Sequence, residues 1–177
     1  MINIVNDLEK ISKLETGEAS LKYEIFDLNE LVEDTVEFME VKAEKENITL
    51  SLNPDKPEPY TVIADKEAVR QVLTNLLDNA IKYNNKVTGK IDVALFDMDE
   101  KVLVEISDNG AGIPQEALAR IFERFYRTDE ARSRKTGGSG LGLAIVKHII
   151  EAHKQTVTVR NNEHEGATFS FTLQKAK

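Results

Sequence analysis

From Asp65 to Tyr83 a capping aspartate is followed by Val69, Val72, Leu73, Leu76, Leu77, Ala80 and Ile81, which fall on one broad helical face. A face that wide must be covered by a second layer, so the chain is constrained to a layered fold built around this helix. The flanking sequence supplies strands. Ile48 to Leu52 alternates apolar and polar residues, Tyr60 to Ala64 reads as a second strand, and Ile91–Phe96 with Val102–Ile106 flank a polar turn in the manner of a hairpin. Val157–Arg160 and Thr168–Leu173 give two closing strands. Asp27 with Glu30 forms a capping pair before a helix over about 28 to 46, and a third helix runs from after Gly140 to about His153. Strands and helices alternate irregularly, which predicts an α+β, two-layer sandwich with a mixed sheet covered on one face by three helices. Before it, Ile4, Leu8 and Ile11 recur at helical spacing with a stop at Gly17, and read as the end of a longer bundle helix.

At 177 residues the chain makes one ordinary domain plus an appendage, divided as 1–17 and 25–175. It has no Cys, which removes thiolate chemistry, Cys-ligated zinc and disulfides and fits the cytoplasm. No run approaches the roughly 18 apolar residues of a membrane span. A net charge of −8 argues against a general nucleic-acid surface. Residues 120–135 depart from that balance, with six basic and three acidic side chains. A basic, glycine-ended segment in an acidic chain is a place for an anionic ligand, although a solvated loop would look the same.

Three constellations carry chemistry. Asn75, Asn79 and Tyr83 lie four apart and form a polar stripe beside the apolar one, with Lys82 close by; amide oxygens suit Mg²⁺. Taken alone, the two asparagines read as a solvated helix face. Asp108-Asn109-Gly110-Ala111-Gly112-Ile113 follows an apolar strand, and a carboxylate there can accept a hydrogen bond from an exocyclic amine; a plain turn is the alternative. Gly137-Gly138-Ser139-Gly140-Leu141-Gly142 opens a helix whose free N–H groups can cradle phosphate, and it fits neither a Rossmann pattern nor a P-loop. The basic stretch before it reads as a lid over residues 128–139.

The ordered motifs Asn75…Asn79-Ala80-Ile81-Lys82-Tyr83, Asp108-Asn109-Gly110-Ala111-Gly112-Ile113, Phe122-Glu123-Arg124-Phe125-Tyr126-Arg127 and Gly138-Ser139-Gly140-Leu141-Gly142-Leu143 together resemble the N, G1, F and G2 boxes of bacterial sensor histidine kinases. The resemblance covers about residues 25–173 and implies the Bergerat-type fold of the gyrase, mismatch-repair and chaperone ATPases. It implies ATP and Mg²⁺ as cofactors, with Asn79 as metal ligand and Asn75, Asn79, Lys82 and Arg124 as the catalytic group. Nucleotide contacts would also come from Tyr83, Asp108, Gly110, Gly112, Ile113, Lys135, Gly138, Gly140, Leu141, Gly142 and Thr168. The implied activity is γ-phosphoryl transfer to a histidine on dimerisation helices, for relay to a response-regulator receiver domain, in a homodimer whose kinase domain is cytoplasmic.

None of the three histidines sits in the family's acceptor context: His148 reads as a packed core residue, His153 faces elsewhere on the helix, and His164 marks a hairpin tip. Lys154-Gln155 stands where the family often has glycine. Rival readings are an ATP hydrolase or Ser/Thr kinase of the same superfamily, whose usual general-base Glu is here Asn75, and a nucleotide-gated dimerisation module without turnover.

Overall fold

Two aspartate caps fix where the helical layer begins. In the computed structural model, which describes residues 2–128 and 138–177, the Asp27 carboxylate accepts the Glu30 N–H at 3.1 Å and starts α2 (Leu28–Lys45). The Asp65 carboxylate accepts the Ala68 N–H at 3.0 Å and starts α3 (Lys66–Tyr83). Each cap satisfies a donor that the first helical turn leaves without a partner. The other helices of the described residues are α1 (Ile2–Glu15), the single turn α4 (Gln115–Leu118) and α5 (Gly142–Ala152).

The strands are β1 (Tyr23–Asp27), β2 (Ile48–Pro54), β3 (Thr61–Asp65), β4 (Gly89–Met98), β5 (Lys101–Asp108), β6 (Val157–Asn161) and β7 (Ala167–Gln174). Five of them form a sheet in the order β2-β4-β5-β7-β6, with β2 and β4 parallel and the other pairs antiparallel. Ile91, Val93 and Leu95 of β4, Val102, Val104 and Ile106 of β5, and Phe169, Phe171 and Leu173 of β7 point to one side and are buried under α2, α3 and α5. The other side is polar: Ser51 Oγ donates to Asp92 at 2.7 Å, and Arg160 pairs with Glu105 at 2.9 Å. This one-faced sheet with a helical cover is the α+β sandwich expected, consistent with period-two alternation in antiparallel strands.

The expected second strand, Tyr60–Ala64, does not join this sheet. It becomes β3 and pairs with β1 in a separate two-stranded sheet, from Tyr23↔Asp65 to Asp27↔Thr61. β1 escapes sequence analysis because Tyr23, Glu24 and Ile25 are all exposed, so no core-facing alternation marks it. The hairpin turn is tighter than expected: Met98 pairs with Lys101, leaving Asp99, at φ 59°, and Glu100 between them. Asp tolerates that left-handed position better than most residues.

Two histidine assignments are corrected. His153, not His148, is the buried one: its Nε2 accepts the Asp65 N–H at 3.0 Å and its Nδ1 donates to the Ile149 carbonyl at 2.8 Å. The two bonds fix a neutral tautomer that ties the end of α5 to the start of α3. His148 is only half-buried and faces Glu15 of α1 at 3.4 Å. Lys154 adopts φ 57°, a backbone position that favours glycine and agrees with the departure noted there. Within α1, Ile11 is fully buried against the body while Ile4 is exposed, so the apolar stripe is shared between the core and solvent.

Asp65→Ala removes the α3 cap and the 2.9 Å bond that the same carboxylate accepts from the Lys22 N–H. It should destabilise the domain by about 1–2 kcal/mol, read as a lower urea midpoint at unchanged m-value.

Candidate functional site

The polar stripe of α3 opens into a cavity of about 250 Å³ between α3, the loop after β5 and the start of α5. Asn75, Asn79, Lys82, Tyr83, Asp108, Gly112, Ile113, Gly138, Gly140 and Gly142 all line it, so residues up to 67 positions apart converge on one space. Asn75 Nδ2 donates to the Gly142 carbonyl at 3.2 Å, which links α3 to the α5 terminus. Lys82 is held by Asp78 at 3.0 Å, and Asp78 also accepts from Lys42 of α2. Burial alone would push the Asp78 carboxyl up, but the hydrogen bonds from Lys42 and Lys82 outweigh it and hold the group below the ordinary carboxylate range.

Asp108 ends β5 with its Oδ1 accepting the Gly110 N–H at 2.8 Å. Burial pushes its carboxyl up, more strongly than the backbone N–H bonds from Gly110 and Ala167 pull it down. A Cβ on Gly110 would fall 2.8 Å from that same oxygen, so glycine is needed for the close turn. Asn109 serves structure: its Oδ1 accepts from Asn84 Nδ2 at 3.1 Å and from the Lys90 N–H at 2.8 Å, pinning the loop to the end of α3 and to β4.

The turn between β6 and β7 clamps this loop, and sequence analysis does not find it. Asn161 donates to the Ile113 carbonyl at 2.7 Å and accepts the Ile113 N–H at 2.8 Å. Asn162 Nδ2 donates to the Asp108 carbonyl at 3.2 Å. Gly166, at φ +76°, lies so close that a Cβ there would stand 1.9 Å from the Asp108 carbonyl oxygen. The signal available was Asn161-Asn162 with a following Gly166, which reads locally as an ordinary turn.

At the opposite end, Leu141 caps α5 without a side-chain hydrogen bond, and nothing lies within 4 Å of a Cβ built on Gly142. The Leu141 N–H is accepted by Ser139 Oγ at 3.3 Å, while the first turn of α5 has no side-chain cap, leaving N–H groups suited to anionic oxygens. Gly140 holds φ +74° against Phe125, whose N–H donates to the Gly140 carbonyl at 2.9 Å.

Four sequence expectations fall outside this wall. Arg124 reaches away from it, to Glu15 of α1, while Tyr126 and Arg127 line the cavity instead. Thr168 points to the other sheet face, where its Oγ1 meets Asn162 at 2.6 Å and Ser107 at 2.7 Å; its neighbours Ala167 and Phe169 are the ones lining the cavity. Period-two alternation makes that inevitable on one strand. Gly110 and Leu141 act behind the wall, Gly110 on the Asp108 turn and Leu141 in the core. Lys135 and all but the ends of the expected lid lie outside the described residues.

As a metal position, Asn79 offers a carboxamide that lines the cavity and has no hydrogen-bond partner among the described residues. The described residues contain no cluster of three or more His, Cys, Asp or Glu side chains that could hold a metal ion. A single neutral oxygen donor beside an anion cradle fits Mg²⁺, which keeps waters and borrows ligand oxygens.

Residues 64–177 match the family described as histidine kinase-, DNA gyrase B- and HSP90-like ATPases. The chain is 35% identical to the sensor histidine kinase WalK of Bacillus subtilis over 98% of its own length and 28% of WalK's. Among solved structures it is similar to full-length ShkA in complex with AMPPNP, with a TM-score of 0.85 and 30% identity over 98% of this chain and 36% of that one. It is also similar to the catalytic domain of the histidine kinase ThkA, with a TM-score of 0.77 and 36% identity over 88% of this chain and 97% of that one. ThkA matches again in its complex with the response regulator TrrA, at a TM-score of 0.75 and 32% identity over 99% of this chain and 49% of that one. The chain spans between 11% and 44% of the length of the first curated relatives it matches.

Gly166→Ala should destabilise the domain by about 2–5 kcal/mol, from left-handed strain and overpacking onto Asp108, checked by chemical denaturation. Asp108 also predicts a pH effect. Because its folded-state value is raised, its contribution to stability is fully present below the unfolded carboxylate value and is lost as pH rises through the raised one. Asp108→Asn has no such loss, so its stability relative to the parent should increase between pH 4 and pH 7, measured by denaturant titration at both pH values.

Proposed function

The chain belongs to the histidine kinase-, DNA gyrase B- and HSP90-like ATPases, and within them to the ATP-binding catalytic domains of sensor histidine kinases; on that premise we propose that it binds ATP with Mg²⁺ and donates the γ-phosphoryl group to a histidine of a partner region. The observation that carries this reading is the convergence of Asn79, Asp108 and the free N–H groups of α5 on one cavity. The AMPPNP held by ShkA and the response regulator bound to ThkA support the nucleotide and the downstream partner.

The roles follow from donor chemistry. The Asp108 carboxylate accepts the exocyclic amine of adenine, which guanine lacks at that position. The N–H groups at Gly142 and the following residues bind phosphate oxygens, and Lys82, braced by Asp78, adds positive charge. Asn79 would hold Mg²⁺ through its carboxamide oxygen, and the cation, when bound, neutralises charge on the phosphates. Transfer forms a bond from the acceptor imidazole nitrogen to phosphorus while the bond to the β-phosphate oxygen breaks and ADP leaves. That step asks this domain for positioning rather than for a base. Asn75 suits such a role, since its amide is engaged with Gly142 and cannot accept a proton from water; this weighs against the hydrolase reading. Arg124, directed at Glu15, is left out of the catalytic group. We assign residues 1–17 to the end of the dimerisation helices and the domain to the cytoplasm, working in a homodimer.

Asn79→Ala should abolish Mg²⁺-dependent ATP binding by calorimetry. Asp108→Asn should weaken ATP binding at least tenfold and narrow the preference for adenine over guanine nucleotides, because an amide can offer a donor as well as an acceptor. With γ-labelled ATP and a separate helix pair bearing an acceptor His, the chain should transfer an acid-labile label to that helix pair while remaining unlabelled itself. Label on this chain alone would overturn the acceptor assignment. A nucleotide-gated module would bind ATP and transfer nothing.

A further inference from the structure

One residue of the cavity lining comes from a helix that none of the site motifs includes. Ile11 of α1 is fully buried, with Leu8 and Leu14 packed partly beside it, and α1 lies against α5. Asp7 stands four residues before Ile11, on the same helical face, so burying Ile11 turns Asp7 inward. Asp7 lines the cavity with Gln71, Asn75 and Gly142; Lys10, one turn further along α1, reaches Gln71, which lies one turn before Asn75, whose amide meets the Gly142 carbonyl at the start of α5.

The charge there runs against the ligand. The described cavity wall holds three carboxylates, Asp7, Asp78 and Asp108, against the two cations Lys82 and Arg127. Asp78 is bridged by Lys42 and Lys82, and Asp108 is bound by the Gly110 N–H at the far end. Asp7 has neither a hydrogen bond nor an ion pair among the described residues, because Lys10, the nearest cation along the helix, extends to Gln71 Oε1 instead. Burial pushes the Asp7 carboxyl up, with Lys10 opposing, as suits a group drawn out of water.

We propose that Asp7 is a specificity-determining residue of the nucleotide site, a fixed negative charge that disfavours metal-free triphosphate and so makes binding depend on the divalent cation. The inference rests on the nucleotide reading given above. A bare triphosphate carries more negative charge than its Mg²⁺ complex, so a carboxylate at the phosphate end penalises it more. Adenosine, with no phosphate, is blind to the effect.

The test is calorimetry on the full chain and on Asp7→Asn, a near-isosteric change, with three probes: adenosine, ATP in EDTA, and ATP with Mg²⁺. ATP in EDTA should bind the variant about five- to tenfold more tightly, Mg-ATP should change less than twofold, and adenosine should not change. Asp7→Ser should shift the same way, and serves if the first variant fails to fold. Equal changes for all three probes, or none in EDTA, would overturn the proposal. So would a loss confined to Mg-ATP, which would make Asp7 a partner of the cation. Failure of the parent chain to bind either adenosine or ATP would instead overturn the nucleotide reading, and the proposal with it.

Discussion

The structure depends on α3 meeting two environments along one axis. Val69, Val72, Leu73, Leu76, Leu77 and Ile81 are buried in the core, while Asn75, Asn79, Lys82 and Tyr83 line the cavity. Rotating the helix by a fraction of a turn would place an amide in the core or an isoleucine in the ligand space, and both are costly. The caps and the His153 bridge hold that rotation: Asp65 sets the first turn, and its N–H is claimed by a histidine from α5.

Carboxamides then do most of the joining around the Asp108 end of the cavity. Asn84, Asn109, Asn161 and Asn162 each bond to backbone or to another amide across distant parts of the chain. An amide carries a donor and an acceptor without net charge, so it can close loops near a cavity without placing an ionic charge beside it. The charged residues are thereby left to act on the ligand.

Much of this was legible in the sequence, for reasons specific to each element. The Asp27 and Asp65 caps announce helices by local chemistry, and the apolar face of α3 by period; both survive because they need no knowledge of distant residues. The polar stripe and the glycine-rich opening were visible as motifs whose residues lie within a turn or two of one another. What was not legible required partners far along the chain. β1 is exposed on the residues that would have revealed it, and the Asn161–Ile113 clamp spans 48 residues. His148 and His153 both sit on a largely apolar helix, and only the position of Asp65 decides which is buried. Arg124 looked like a cavity cation until Glu15 supplied a nearer anion, and Thr168 faced the wrong way by a strand register that its neighbours set.

Among the described residues the sheet is covered on one side only, so the core, the cavity and α1 all lie on the same side of it. The polar face behind meets the cavity loop at the β6–β7 turn, where Thr168 bonds Asn162 and Asn162 bonds the Asp108 carbonyl, and its far strands lie away from it. Thr158 on β6 and Thr49 on β2 are exposed on strands whose inward neighbours never reach the cavity. A fluorophore, a spin label or an attachment to a solid support placed there would report on or tether the domain with the cavity and the α1 face left clear. Positions remote from the cavity thus become the natural handles for observing it.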